Sequence, residues 1–278
     1  MNSVLNKELI MFYNVENLFS PDPKPQHILD PTISGFRNWD EKKYQNKLHK
    51  IANVFRLIEE KEAVLPMIIG LAEVFEEGNL KDLVALNPFK ENFGIVHYDS
   101  LDERGVDTAL LYDKRKLQLI ESEPISFVFE NGPQCRENFD TTRDVLFCKL
   151  KFNEEIINVF VMHLPSKRDK DINSPKRDFI IDSIRNRILK RYKDSGEAII
   201  ICGDFNENPL DSSSCSEDSF LQESVSNNSS CKELNPSGFK LKEIVKTKQQ
   251  MKTGNLGKNI SLIDSEFHPK TKSTQVLI

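Results

Sequence analysis

Asp204 and Asn206 follow the apolar run Ile199-Ile200-Ile201-Cys202-Gly203 and stand two residues apart. In an extended chain, side chains at that spacing leave the same face, so both emerge together at the rim of a sheet. Asp204 can accept a proton or hold a divalent cation through oxygen. Asn206 offers an amide that orients a phosphate or a carboxylate without adding charge. Three more apolar runs end in the same manner: residues 9–12 deliver Asn14 and Glu16, residues 67–72 deliver Glu73, and residues 156–162 deliver His163. Any one of these ends is compatible with a simple turn. Four ends carrying Asn/Glu, Glu, His and Asp/Asn point to one shared site, because facing carboxylates need a cation or a shared proton to offset their repulsion.

Periodicity shows which helices and strands carry these residues. Tyr44, Leu48, Ile51, Val54, Phe55 and Ile58 recur at helical spacing behind Asp40, and Phe179, Ile180, Ile184 and Ile188 form a second stripe over residues 176–192. Between them the chain reads as strands, with hairpin-like patterning over 106–150. Residues 20–39 hold four prolines and Gly35 and are expected to be irregular. Residues 212–258, rich in Ser, Asn and then Lys, are expected to form a mobile loop region of a single domain covering 8–278.

Composition narrows the class. With 38% hydrophobic residues and 18 Phe, 278 residues can fill one core. A net charge of -5 argues against a protein committed to DNA by an overall basic surface. No apolar run reaches the length of a membrane span, and residues 1–8 lack the pattern of a signal peptide, so the expectation is a cytoplasmic monomer. The five cysteines are scattered without a CxxC pair, and Cys148 and Cys202 fall in apolar strands, so buried free thiols are expected. Asp169-Lys170-Asp171-Ile172-Asn173 starts like a calcium loop, but Ser174 replaces the glycine and Ile180 the bidentate acid. His27, His49, His97 and His268 show no ligand spacing.

The chain resembles the endonuclease/exonuclease/phosphatase superfamily, metal-dependent phosphodiesterases related to DNase I and exonuclease III. The resemblance covers residues 8–212 and rests on Tyr13-Asn14-Val15-Glu16-Asn17, Gly70-Leu71-Ala72-Glu73-Val74, the block from Asp99 through Arg104, Gly105 and Asp107 to Tyr112, Thr142-Arg143-Asp144, His163-Leu164-Pro165-Ser166-Lys167-Arg168 and Gly203-Asp204-Phe205-Asn206. The Arg104-Gly105 and Pro165-Ser166-Lys167-Arg168 runs look most like a bacterial branch. The resemblance implies an α/β fold, a four-layered α/β/β/α sandwich of two mixed sheets between helices. It also implies hydrolysis of a phosphodiester, with nucleic acid as the default substrate. Glu73 and Glu16 would bind Mg²⁺, or Mn²⁺ in its place. Asn14 and Asn206 would hold the phosphate or the nucleophile, and Asp204 would orient or deprotonate the attacking water. His163 would stand near the scissile phosphate as an acid or electrophilic helper, unless it is a hydrogen-bonded structural residue. Lys167, Arg168, Arg177 and Lys176 would contact phosphate or remain solvated charge. Arg104 with Asp107, and Arg143, read equally as structural ion pairs or substrate contacts.

One departure stands out. The superfamily ends on a strand carrying Ser-Asp-His or a similar triplet, whereas here Ser261-Leu262-Ile263-Asp264 is followed by no Asp-His pair. The expectation is that the C-terminal end is incomplete or the last strand is lost, with activity impaired. The alternative class is a relative that binds metal or phosphate ligands without turnover.

Overall fold

A computed structural model describes residues 8–21, 39–102, 105–130, 139–167 and 171–206, with the short segments 246–247, 260–263 and 274–277. Two mixed sheets face each other. The first has the order β11-β12-β1-β2-β4-β3, from Lys246–Thr247 (β11), Ile260–Ile263 (β12), Ile10–Leu18 (β1), Ile68–Val74 (β2), Asp107–Asp113 (β4) and Phe93–His97 (β3). The second has the order β13-β10-β9-β8-β5, from Thr274–Leu277 (β13), Ala198–Asp204 (β10), Glu155–His163 (β9), Val145–Phe152 (β8) and Leu117–Ile125 (β5). A small ribbon pairs Val128–Glu130 (β6) with Phe139–Thr141 (β7). In each large sheet one central pair is parallel, β1 with β2 and β9 with β10, and the other pairs are antiparallel.

Three cores make four layers. Helices α1 (Glu41–Glu62) and α2 (Glu77–Ala85) cover the outer face of the first sheet through Leu48, Phe55, Ile69 and Leu111. Phe12, Ile68, Val159 and Ile200 fill the space between the sheets. Helix α3 (Ser174–Tyr192) covers the outer face of the second sheet through Ile180, Ile184, Phe160 and Ile201. This is the expected α/β/β/α sandwich. The sheets approach closely at Gly70, where an added Cβ would lie 2.8 Å from Cys202 Sγ. Cys148 and Cys202 are buried free thiols in this middle layer, and burial pushes the Cys202 thiol up to about 12.

The helix ends follow local chemistry. Asp40 caps α1 by accepting from the Lys43 amide at 2.8 Å. Helix α3 begins at Ser174 with Pro175 in its first turn, a position that needs no amide donor. Its buried stripe is Arg177, Ile180, Ile184 and Ile188. Phe179, expected on that stripe, lies 57% exposed, because a step of one residue rotates it about 100° from Ile180. It packs instead edge-on against Phe127 and Phe129.

Ile260–Ile263 pairs antiparallel with β1, and a strand does follow it: Thr274–Leu277 pairs antiparallel with β10, Thr274 opposite Asp204 and Gln275 opposite Gly203, contrary to the alternative in which the last strand is lost. The loop expected over 212–258 lies outside the described residues, apart from Lys246–Thr247.

Candidate active site

Asn14 is the hub of the strand ends. It lies in β1, buried, and its Nδ2 donates to Glu73 Oε1 at 3.1 Å and to Asp204 Oδ2 at 3.3 Å. One amide thus bridges a carboxylate of the first sheet to a carboxylate of the second. The Asn14 Oδ1 accepts from the Glu16 amide at 2.9 Å, which turns the chain sharply after it. His163 stands opposite Asp204 across the parallel pair β9/β10, with Nε2 3.8 Å from Glu73 Oε1. That distance is too long for a hydrogen bond and suits a charge contact when the imidazole is protonated.

Glu73 reaches this point because β2 is irregular there. Its pairing with β4 shifts register between Ala72 and Val74, and Glu73 itself has φ 66°. A bulge of this kind re-aims one side chain, here the carboxylate, toward the neighbouring sheet. Glu16 and Asn206 are also left-handed, at φ 56° and 50°. Such positions cost non-glycine residues about 1–3 kcal/mol each and persist where the surroundings fix them.

Asp204 is held from three directions. Its Oδ1 accepts from the Asn206 amide at 3.1 Å, its Oδ2 from Asn14, and its carbonyl from the Leu164 amide at 2.9 Å. Burial pushes the Asp204 carboxyl above the usual range and the charge of Glu73 adds to this, while the bonds from Asn206 and Asn14 oppose it. Asn206 directs its side-chain amide at the Leu164 carbonyl, 2.8 Å away, so it fastens the β10 end to the β9 end. Glu16 is exposed and joins the group through its main chain.

Lys47 was not legible as a site residue. It extends from α1, donates to the Glu16 carbonyl, and lies 5.8 Å from the Trp39 ring centre. Burial lowers its pKa, and the charges of Glu16 and Glu73 work against that shift. Its sequence position on the polar side of a helix gave no hint that the helix end faces a strand rim.

The basic residues separate. Lys167 is exposed, and Lys176 has its ammonium 5.5 Å from the Phe129 ring centre. Arg168 and Arg104 lie outside the described residues. Arg177 is completely buried, donating to both oxygens of Asp171 at 2.7 and 2.8 Å and to the Pro165 carbonyl at 3.1 Å. A guanidinium so enclosed buckles the segment after His163 onto α3 and has no open edge for a phosphate, which corrects the phosphate-binding expectation for it. Arg143 faces Asp102 at 3.5 Å, the ion-pair alternative.

His97 also departs from expectation. Asp107 meets His97 and Asp99 across the β3–β4 connection, and donor atoms of the three lie within 4.8 Å of one another. The connection between two hairpin strands, rather than any local motif, brings them together.

Residues 9–253 match the family described as "Endonuclease/Exonuclease/phosphatase family". Among solved structures, the chain is similar to a D. rerio TDP2 humanised by 14 mutations, at 17% identity and a TM-score of 0.44, covering 72% of this chain and 63% of that one. It is likewise similar to a Bacteroides thetaiotaomicron mannosyl-6-phosphatase, at 15% identity and 0.47, covering 72% and 66%, and to the human Nocturnin catalytic domain, at 16% identity and 0.40, covering 59% and 58%. The chain therefore spans less than two thirds of each of these relatives. No curated protein matches it. Among the described residues, no helix is long and apolar enough to cross a membrane.

Proposed function

Because this chain belongs to the endonuclease/exonuclease/phosphatase family, a family of phosphoester and nuclease-type hydrolases, we propose that it hydrolyses a phosphodiester, nucleic acid being the default substrate, with a divalent cation held beside Asn14. The observation that carries this reading is the single Asn14 amide spanning Glu73 and Asp204 from opposite sheets. Two half-buried acids so close, one already pushed toward its neutral form, make a site short of positive charge. Its donors are hard oxygens, which suit Mg²⁺ or Mn²⁺. Glu73 would hold the ion, with Glu16 an outer contributor from its exposed position. When bound, the ion would neutralise charge on the nonbridging phosphate oxygens.

The remaining work falls to the chain's own residues. Asp204, with its proton affinity raised by burial, would take the proton of the attacking water. Asn14 and the Asn206 amide would fix the direction of its two oxygens, which keeps the base aimed rather than rotating. His163, beside Glu73, would donate a hydrogen bond or a proton to the phosphate. Lys47 would add positive charge to the rim, and the exposed Lys167 would meet substrate phosphate from outside.

A second reading has its own support. The strand Thr274–Leu277 pairs Thr274 with Asp204 and Gln275 with Gly203, and it carries no Asp or His of the kind the superfamily's closing triplet supplies. Neither Thr nor Gln exchanges a proton near neutral pH. Loss of one catalytic group costs about 10²–10⁴ in rate, so the proposal is a slow hydrolase, and its limit is a metal- or phosphate-binding relative without turnover.

The test is hydrolysis of bis(p-nitrophenyl) phosphate with Mg²⁺ or Mn²⁺, comparing wild type with Asp204→Asn and with chelator. A feeble wild-type rate that vanishes in both comparisons is expected. A robust rate indifferent to Asp204→Asn would refute the assignment, and metal binding without any turnover would leave the second reading standing.

A further inference from the structure

The His97 group stands apart from the catalytic strand ends. His97 pairs with Ala109, which belongs to the helix-facing core of the first sheet, and Asp107 lies two residues earlier on the same strand and so on the same face. Asn14, by the same alternation, shares its face with Phe12 in the layer between the sheets. The two groups therefore occupy opposite faces of one sheet.

Its geometry has an unmet requirement. The His97 side chain is 3% exposed, and its Nε2 is buried with no hydrogen-bond partner. That nitrogen points at Asp107 Oδ2, 3.8 Å away, too far for a hydrogen bond between them. The other ring nitrogen, Nδ1, lies 3.9 Å from Asp99 Oδ1. Asp107 is itself buried and oriented: both the Ser100 amide, at 3.2 Å, and the Ser100 hydroxyl donate to Oδ1, which leaves Oδ2 directed at the imidazole. A carboxylate fixed by one oxygen and open at the other is the usual posture of a supported metal ligand. Asp99 has an 86% exposed side chain and can swing toward the pair. Glu76 and Glu77 act electrostatically on His97, and Asp102 on Asp107, so the surroundings are acidic.

We propose that His97, Asp99 and Asp107 form a second divalent-cation site, of the Zn²⁺ class, on the helix-facing side of the first sheet. Two ligands of a tetrahedral ion held at about 2.1 Å lie about 3.4 Å apart, close to the separation of Nε2 and Oδ2. An imidazole with two carboxylates favours Zn²⁺ over Mg²⁺ or Ca²⁺, which prefer oxygen alone. Three protein ligands leave a fourth position for water or a phosphate oxygen. The ion would tie the end of β3 to the start of β4, the strand next to the one that carries Glu73.

The experiment titrates Zn²⁺ into the full chain by calorimetry and measures bound zinc after dialysis. Glu73→Gln serves as the background, so that loss of the site near Asn14 and loss of this one are distinguished. In that background one zinc is expected, and adding Asp99→Asn should weaken it at least tenfold, as should His97→Gln in a separate variant. Because Asp99 is exposed, its substitution keeps the fold, and an unchanged metal-free melting curve checks that. Cobalt substitution gives an independent signal: the visible band of a mixed nitrogen and oxygen site should disappear with Asp99→Asn. Zinc affinity unchanged by Asp99→Asn, or no zinc retained in the Glu73→Gln background, would overturn the proposal, the first by placing the ion elsewhere and the second by reducing the group to a structural histidine–aspartate contact.

Discussion

Replacing Glu73 by Gln should make the variant at least as stable as wild type without metal and less stable than wild type with it. Without metal, Glu73 and Asp204 repel each other, and the Asn14 amide bridges them. The amide oxygen introduced by Glu73→Gln would still accept from Asn14 while one of the two charges is removed, so the metal-free variant should melt at or above wild type. With Mg²⁺ at a hundred times its dissociation constant, a ligand that binds only the folded state stabilises wild type by about 2.7 kcal/mol. For a chain of this size, 1 kcal/mol moves the melting temperature by about 2–4 °C, so wild type should gain about 5–11 °C. If the amide weakens binding about a hundredfold, the same Mg²⁺ concentration gives about 0.4 kcal/mol, or about 1–2 °C. Differential scanning calorimetry with and without Mg²⁺ reads both effects. Equal metal-dependent shifts in the two proteins would refute the role of Glu73, and a large fall in the metal-free variant would show that its carboxylate is structural.

Two further outcomes follow from buried charges elsewhere. Arg177→Met should lower stability by about 3 kcal/mol in urea titration, the low end for breaking a buried pair, because the bereft Asp171 is partly exposed and can be solvated; a loss under about 1 kcal/mol would mean that the buckle onto Asp171 and Pro165 carries little. Asp144→Asn tests pH dependence: burial raises the Asp144 carboxyl in the folded state, opposed by a bond from Ser126, so ionisation costs the fold as pH climbs above the unfolded value of about 4. The melting temperature of Asp144→Asn relative to wild type should therefore rise as pH climbs above about 4 and level off once the folded carboxyl is ionised, and a flat or falling difference would reject the sign.

Helix α1 behind Asp40 and the four strands whose ends deliver Asn14, Glu73, His163 and Asp204 were legible in the sequence from local pattern, since a period of two or 3.6 residues and a polar residue at the end of an apolar run suffice to reveal them. The layered fold was legible only through the family resemblance that these motifs carry together. Tertiary structure alone decided how far each side chain reaches and what it meets. It turned Arg177 inward, since a guanidinium on the buried stripe of α3 must find acceptors in the adjoining loop. It brought Lys47 from a helix surface to the strand rim, and it joined Asp107 to His97 across a hairpin connection. It also supplied Thr274–Leu277 as the closing partner of β10, a pairing fixed by backbone hydrogen bonds between segments some seventy residues apart, for which no short window of sequence carries a signal. Periodicity reports which face of an element is buried; the partner on that face is set by the packing of whole sheets, and chemistry at the site depends on the partner.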